Sequence, residues 1–153
     1  MLQKIDNSII STAKKIFIPY SRLALFIVFF WFGILKLIDV SPANPIVSDL
    51  LEKTLPFISF GQFIIFLGVW EMLIGICFLI PRCERFAILL LVPHMITTCM
   101  PLILLPQIAW QSFLVPTLEG QYIIKNLVII ALAIGIAVQL KPFGYKEEGG
   151  KYI

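Results

Sequence analysis

Lys36, Glu71, His94 and Lys125 each interrupt a different apolar run of this chain. Ionisable side chains in such runs are costly, at least about 2.5 kcal/mol at the bilayer centre on insertion scales. They normally face a bundle interior, where they pair, bind or carry protons. Glu71 lies ten residues below Gly61, so about 15 Å from one boundary of its run, and His94 lies eight residues above Phe86, so about 12 Å from the other. Both depths fall near the middle of a ~30 Å hydrocarbon layer. Lys36 and Lys125 fall within about one turn of the same outer boundary. The spacing predicts a polar pocket in the outer half of a helix bundle. Lys36 and Lys125 form its cationic mouth, Glu71 and His94 its floor, and Asn126, Asp39 and Glu119 are further candidates for the rim.

Each residue also has a plainer role. The two lysines could snorkel to the headgroups. Glu71 cannot do so from mid-depth, so it is expected to be hydrogen-bonded across helices, to His94 or a lysine. Glu71 and His94 could be a polar clasp that sets helix register and nothing more. Gly61, Gly68 and Gly75 recur every seven residues and form a smooth stripe that admits another backbone. Glu71 projects from that stripe, hence toward protein. His94 is the chain's single histidine, and no Cys/His cluster accompanies it, so no metal or haem is expected. Cys77 and Cys99 are expected at depths differing by on the order of 14 Å, too far apart for a disulfide. No nucleotide-binding loop, nucleophile elbow or H-E-x-x-H motif is present. Whether the chain is an enzyme stays open.

The elements that must position these residues follow from composition. Of 153 residues, 59% are hydrophobic and 14% charged, and the mean hydropathy is +0.97. A soluble domain is nearer half apolar and a quarter charged. Four runs are long enough to cross a bilayer as helices, about residues 22–38, 61–80, 86–105 and 121–140. The expected fold is all-α, an antiparallel four-helix transmembrane bundle spanning 22–140. Pro93 and Pro101 should kink the third helix. Residues 46–55 suit a short surface helix, and 106–120 a loop. Residues 1–21 place Leu2, Ile5, Ile9, Ala13 and Ile16 on one side and Lys4, Lys14 and Lys15 on the other. That pattern predicts an amphipathic interfacial helix closed by Pro19. Residues 141–153 form a polar tail.

Lys4, Lys14, Lys15, Arg22, Arg82, Arg85, Lys141, Lys146 and Lys151 flank the runs on one side, whereas Lys53 alone lies in the opposite loops. The positive-inside rule places both termini in the cytoplasm. The net charge of +3 follows from this sidedness and calls for no nucleic acid; the expected partners are the lipid bilayer and a membrane or redox protein.

The stretches FFWFGILKL, SPANP, LGVWEMLIGICFLIP and GQYIIKNLVIIALAI resemble the DoxX-like membrane proteins over about residues 22–140. The shared features are a Gly-x-x-Lys in the first span, here Gly33 to Lys36, and a glutamate in a glycine-rich second span, here Glu71. The resemblance implies a multi-pass protein of the bacterial inner membrane, associated with quinone-linked or with sulfur and oxidative-stress redox systems, whose pocket would take a quinone-like or small anionic molecule. Distant animal relatives act as membrane chaperones, so a non-catalytic assembly or scaffold module is the alternative. A small transporter ranks last, because little besides Gln139 and the inner loop is polar on the cytoplasmic side. The lack of CxxC argues against thiol–disulfide catalysis.

Overall fold

The computed structural model describes residues 1–142 and is an all-α bundle of four long helices. The expected tail falls mostly on residues 143–153, including Lys146 and Lys151, and lies outside the described residues. Helix α1 is Leu2–Leu37, α2 is Asn44–Thr54, α3 is Phe60–Leu79 and α4 is Glu84–Cys99. Two single turns follow, α5 at Pro101–Leu104 and α6 at Pro106–Ala109, then strands β1 (Trp110–Ser112) and β2 (Val115–Pro116), and helices α7 (Leu118–Ile124) and α8 (Asn126–Ala137). Helix α3 packs against α1 and α4, and α8 closes the ring against α4 and α1. Four helical stretches are long and apolar enough to cross a membrane: Leu2–Leu37, Phe60–Leu79, Glu84–Leu104 and Leu118–Ala137.

The first element departs from expectation. Pro19 does not close a separate helix; it lies inside one helix of 36 residues, about 54 Å long. A proline removes a single i→i−4 bond, here to the Lys15 carbonyl, and the turns on either side continue. The helix ends where the sequence supplies a left-handed residue. Asp39 has φ 56°, its amide donates to the Lys36 carbonyl (3.2 Å), and the Val40 amide reaches the Leu35 carbonyl (3.0 Å). This is a Schellman closure, with aspartate tolerated where glycine is usual. The Asn44 side chain fixes it by donating to Asp39 Oδ1 at 2.8 Å.

Helices α1 and α3 meet backbone to backbone. A Cβ on Gly68 would lie 2.9 Å from the Gly33 carbonyl, and one on Gly75 would lie 3.0 Å from the Phe30 amide. Gly61, the third member of the sequence stripe, faces nothing within 4 Å. The stripe therefore works over two of its three positions.

Proline shapes the third span as expected. Pro93 lies inside α4, and Pro101 follows the break at Met100. The Thr97 carbonyl, which would have bonded the missing amide of residue 101, accepts from the Met100 amide at 3.3 Å. Beyond it, the segment read as a loop is ordered by hydrogen bonds that periodicity does not reveal. Thr117 donates its hydroxyl to the Ile108 carbonyl (2.6 Å) and accepts from the Gly120 amide (3.0 Å). The Trp110 indole donates to the Leu102 carbonyl (2.9 Å). The result is a small hairpin, followed by a fourth span that starts three residues earlier than Gln121 and is interrupted at Lys125.

The main apolar core fills the end of the bundle nearest the N-terminal half of α1, with Leu25, Phe29, Ile74, Phe78, Leu91 and Ile136 among its members. Leu51, Ile64, Leu105, Ala109 and Ile123 are buried toward the other end. Between these two apolar layers lie Lys36, Glu71 and His94.

Candidate functional site

The side chains of an α-helix lean toward its N-terminus. Helices α1 and α3 run antiparallel, so Lys36 leans down the bundle and Glu71 leans up. Each stands three residues beyond the glycine at the close approach, Gly33 and Gly68 respectively. The two side chains therefore converge across the point where the backbones are nearest. Lys36 Nζ donates to Glu71 Oε2 at 2.7 Å. Helix α4 brings His94, whose Nε2 lies 3.4 Å from the other oxygen, Glu71 Oε1. Lys36 is 5% exposed, Glu71 6% and His94 6%. Three ionisable groups from three helices thus meet out of contact with solvent.

The surroundings hold His94 in place. The Phe29 ring packs edge-on against the imidazole, with centroids 5.5 Å apart. Thr97 and Thr98 both donate their hydroxyls to the His94 carbonyl, at 2.9 and 2.8 Å. Thr98 Oγ1 also lies 3.5 Å from His94 Nε2. Trp70, one residue before Glu71, donates its indole N–H to the Leu90 carbonyl at 3.1 Å. This bond ties α3 to α4 one turn from His94, beside the Leu89 carbonyl that Pro93 leaves without its helical donor.

A lysine ammonium has three donors, and among the described residues Lys36 uses one, on Glu71. A carboxylate can accept several hydrogen bonds; Glu71 accepts from Lys36 on one oxygen and faces His94 Nε2 at 3.4 Å on the other. The arrangement is a carboxylate between an ammonium, which keeps spare donor capacity, and an imidazole. Such a cluster offers hydrogen-bond donors to a small polar acceptor. Among the described residues no three His, Cys, Asp or Glu side chains gather in a way that could hold a metal ion.

The outer rim differs from the sequence expectation. Lys125 is exposed at the turn between α7 and α8, and its ammonium lies 4.8 Å from the centroid of the Tyr122 ring. Asn126 is half-buried at the start of α8. Among the described residues, no hydrogen bond or ion pair links either to the Lys36–Glu71–His94 cluster. Asp39 is occupied by the end of α1, and Glu119 is exposed in the first turn of α7. Lys36 belongs to the floor rather than to a mouth, because its four-carbon stem carries the charge inward from its backbone depth.

Sequence reasoning missed a second ionic cluster. Arg22 donates to the carbonyls of Phe78 (2.7 Å) and Leu79 (3.0 Å) at the end of α3. It also pairs with Glu84 in the first turn of α4 at 2.7 Å. The signal was available, since Arg22 and Glu84 mark the same boundary, at the starts of the first and third runs. No family model, curated protein or solved structure matches this chain, and the resemblance to DoxX-like proteins rests on its short motifs alone.

Proposed function

We propose that this chain is a DoxX-like subunit of the bacterial inner membrane, with both termini on the cytoplasmic side, that binds the polar head of a quinone at Lys36, Glu71 and His94. The observation that carries this reading is the meeting of those three side chains between two apolar layers, with donors to spare on Lys36. A quinone carbonyl accepts hydrogen bonds, and Lys36 and His94 are groups that can donate them. Glu71 would orient both. Bound there, a quinone would supply electron transfer coupled to protons, and the electrons would come from a partner redox protein. An apolar groove of about 380 Å³ between α4 and α8 supports the reading further. Leu91 and Met95, which flank His94 in sequence, line it, and it could take part of a hydrocarbon tail.

The test is mass spectrometry of what copurifies in mild detergent. Wild type is expected to retain quinone in near-stoichiometric amount, and Lys36→Met and Glu71→Gln to lose it while remaining monodisperse. Quinone content in wild type no higher than in an unrelated membrane protein purified alike would overturn the assignment. The second reading, an assembly module in which the cluster only sets register, is favoured by the position of the ion pair at the Gly33–Gly68 contact. It expects all three proteins to carry equally little quinone, and the variants to lose a protein partner that wild type retains.

A further inference from the structure

The N-terminal half of α1 meets the bundle at its last residues, where Phe17 lies beside Gly135 and Ile18 packs on the core. Residues 1–17 are all exposed, and burial begins at Ser21. From Ser21 to Leu37 the helix is about 25 Å long, close to the hydrocarbon thickness on its own. The preceding part therefore lies beyond the membrane boundary that the Arg22–Glu84 cluster marks.

Its two faces continue the two faces of the span. At 3.6 residues per turn, Leu2, Ile5, Ile9, Ala13, Ile16 and Tyr20 form one line, with spacings of three and four. The same line runs on through Leu23, Ile27 and Trp31, which are 44%, 47% and 62% exposed and point away from the bundle. The opposite line of Lys4, Asn7, Ser11 and Lys14 runs on into Ser21, Leu25 and Phe29, which are buried in it. So the apolar side of the N-terminal half faces the way the lipid-facing side of the span faces. If a helix leaving a membrane bends outward from its bundle, its outward side becomes its underside. Here that side is the apolar one. Pro19 stands at the junction and removes the hydrogen bond that would resist bending there.

We propose that residues 2–16 fold outward at the turn that Pro19 leaves without its hydrogen bond and lie in the headgroup layer of the adjoining leaflet as an anchor for anionic phospholipid. The lysines at 4, 14 and 15 outnumber the single acidic residue, Asp6, and would flank the embedded stripe at headgroup level, where basic side chains attract anionic lipid. The inference rests on membrane residence and is independent of what the Lys36–Glu71–His94 site binds.

The full chain in nanodiscs tests it, with an environment-sensitive fluorescent amino acid in place of Ile9 or of Ser11. The bilayers are pure phosphatidylcholine and its equimolar mixture with phosphatidylglycerol. The expected result is blue-shifted emission from position 9, but not from position 11, that is stronger in the anionic bilayer. Changing Lys4, Lys14 and Lys15 to Gln together should abolish the dependence on anionic lipid and leave the bundle folded, since none of the three packs on it. Water-like emission from position 9 in both bilayers would overturn the proposal. An equal shift in both would overturn the anionic preference. A shift that grows with the number of chains per disc would replace the lipid surface with a second copy as the occupant.

Discussion

Two ionic clusters tie α1 to α3 and α4, and they differ in what they answer to. Arg22 sits at the end of the bundle, where α3 stops and leaves carbonyls without helical donors. It supplies those donors and pairs with an acid in the first turn of the next helix, where a negative charge suits the helix dipole. Every contact of Arg22 meets a need that the helix ends create. Lys36 stands in the last turn of α1, but its ammonium turns to Glu71 rather than to the carbonyls of that helix end, and Glu71 and His94 lie within α3 and α4. Ion pairs taken out of water recover their desolvation cost only with good geometry, and an apolar replacement of similar volume is often as stable. A cluster without a local structural reason is a better candidate for function than one fully explained by its helix ends.

The largest expected effect breaks the interior cluster. Glu71→Ala leaves Lys36 buried without its partner and should lower unfolding free energy by about 3–5 kcal/mol, measured by reversible denaturation in mixed micelles. Replacing both partners, as in Lys36→Met with Glu71→Leu, should return stability to within about 1 kcal/mol of wild type while quinone retention stays lost. A double variant as unstable as Glu71→Ala would make the pair a structural requirement and weaken the contrast. At the bundle end, Arg22→Ala should cost about 1.5–3 kcal/mol, the range for hydrogen bonds to charged groups, with quinone retention unchanged. Loss of quinone in Arg22→Ala would show that the two clusters are coupled.

Smaller effects sharpen the account of what brings Lys36 to Glu71. Gly68→Ala places a methyl against the Gly33 carbonyl and should destabilise by about 1–3 kcal/mol, as overpacking does. Gly61→Ala meets nothing and should be neutral or stabilising by up to about 1 kcal/mol. Equal effects at the two glycines would contradict the close approach of α1 and α3.

Much of the fold was legible because a bilayer-length apolar run has few alternatives to a helix. The bundle, the short connection between α3 and α4, and the disturbance at Pro93 and Pro101 follow from run length and proline chemistry. Glu71 and His94 at one depth could be read by counting residues. The hairpin at Trp110–Pro116 could not, because one threonine hydroxyl and a tryptophan N–H order it rather than any periodic pattern. Lys125 was misplaced because the fourth span is apolar on all sides, and nothing in such a sequence fixes its rotation or shows the interruption at that residue.

By itself the sequence determined that four apolar helices form, which depths their polar residues occupy and which side carries the basic residues. The tertiary structure decided who meets whom. Two glycines out of three set the contact of α1 with α3, and the lean of side chains toward helix N-termini turned Lys36 onto Glu71. The turn before α8 left Lys125 outside. Depth is a property of position along one helix, but partnership depends on rotation and register between helices, and only packing fixes those.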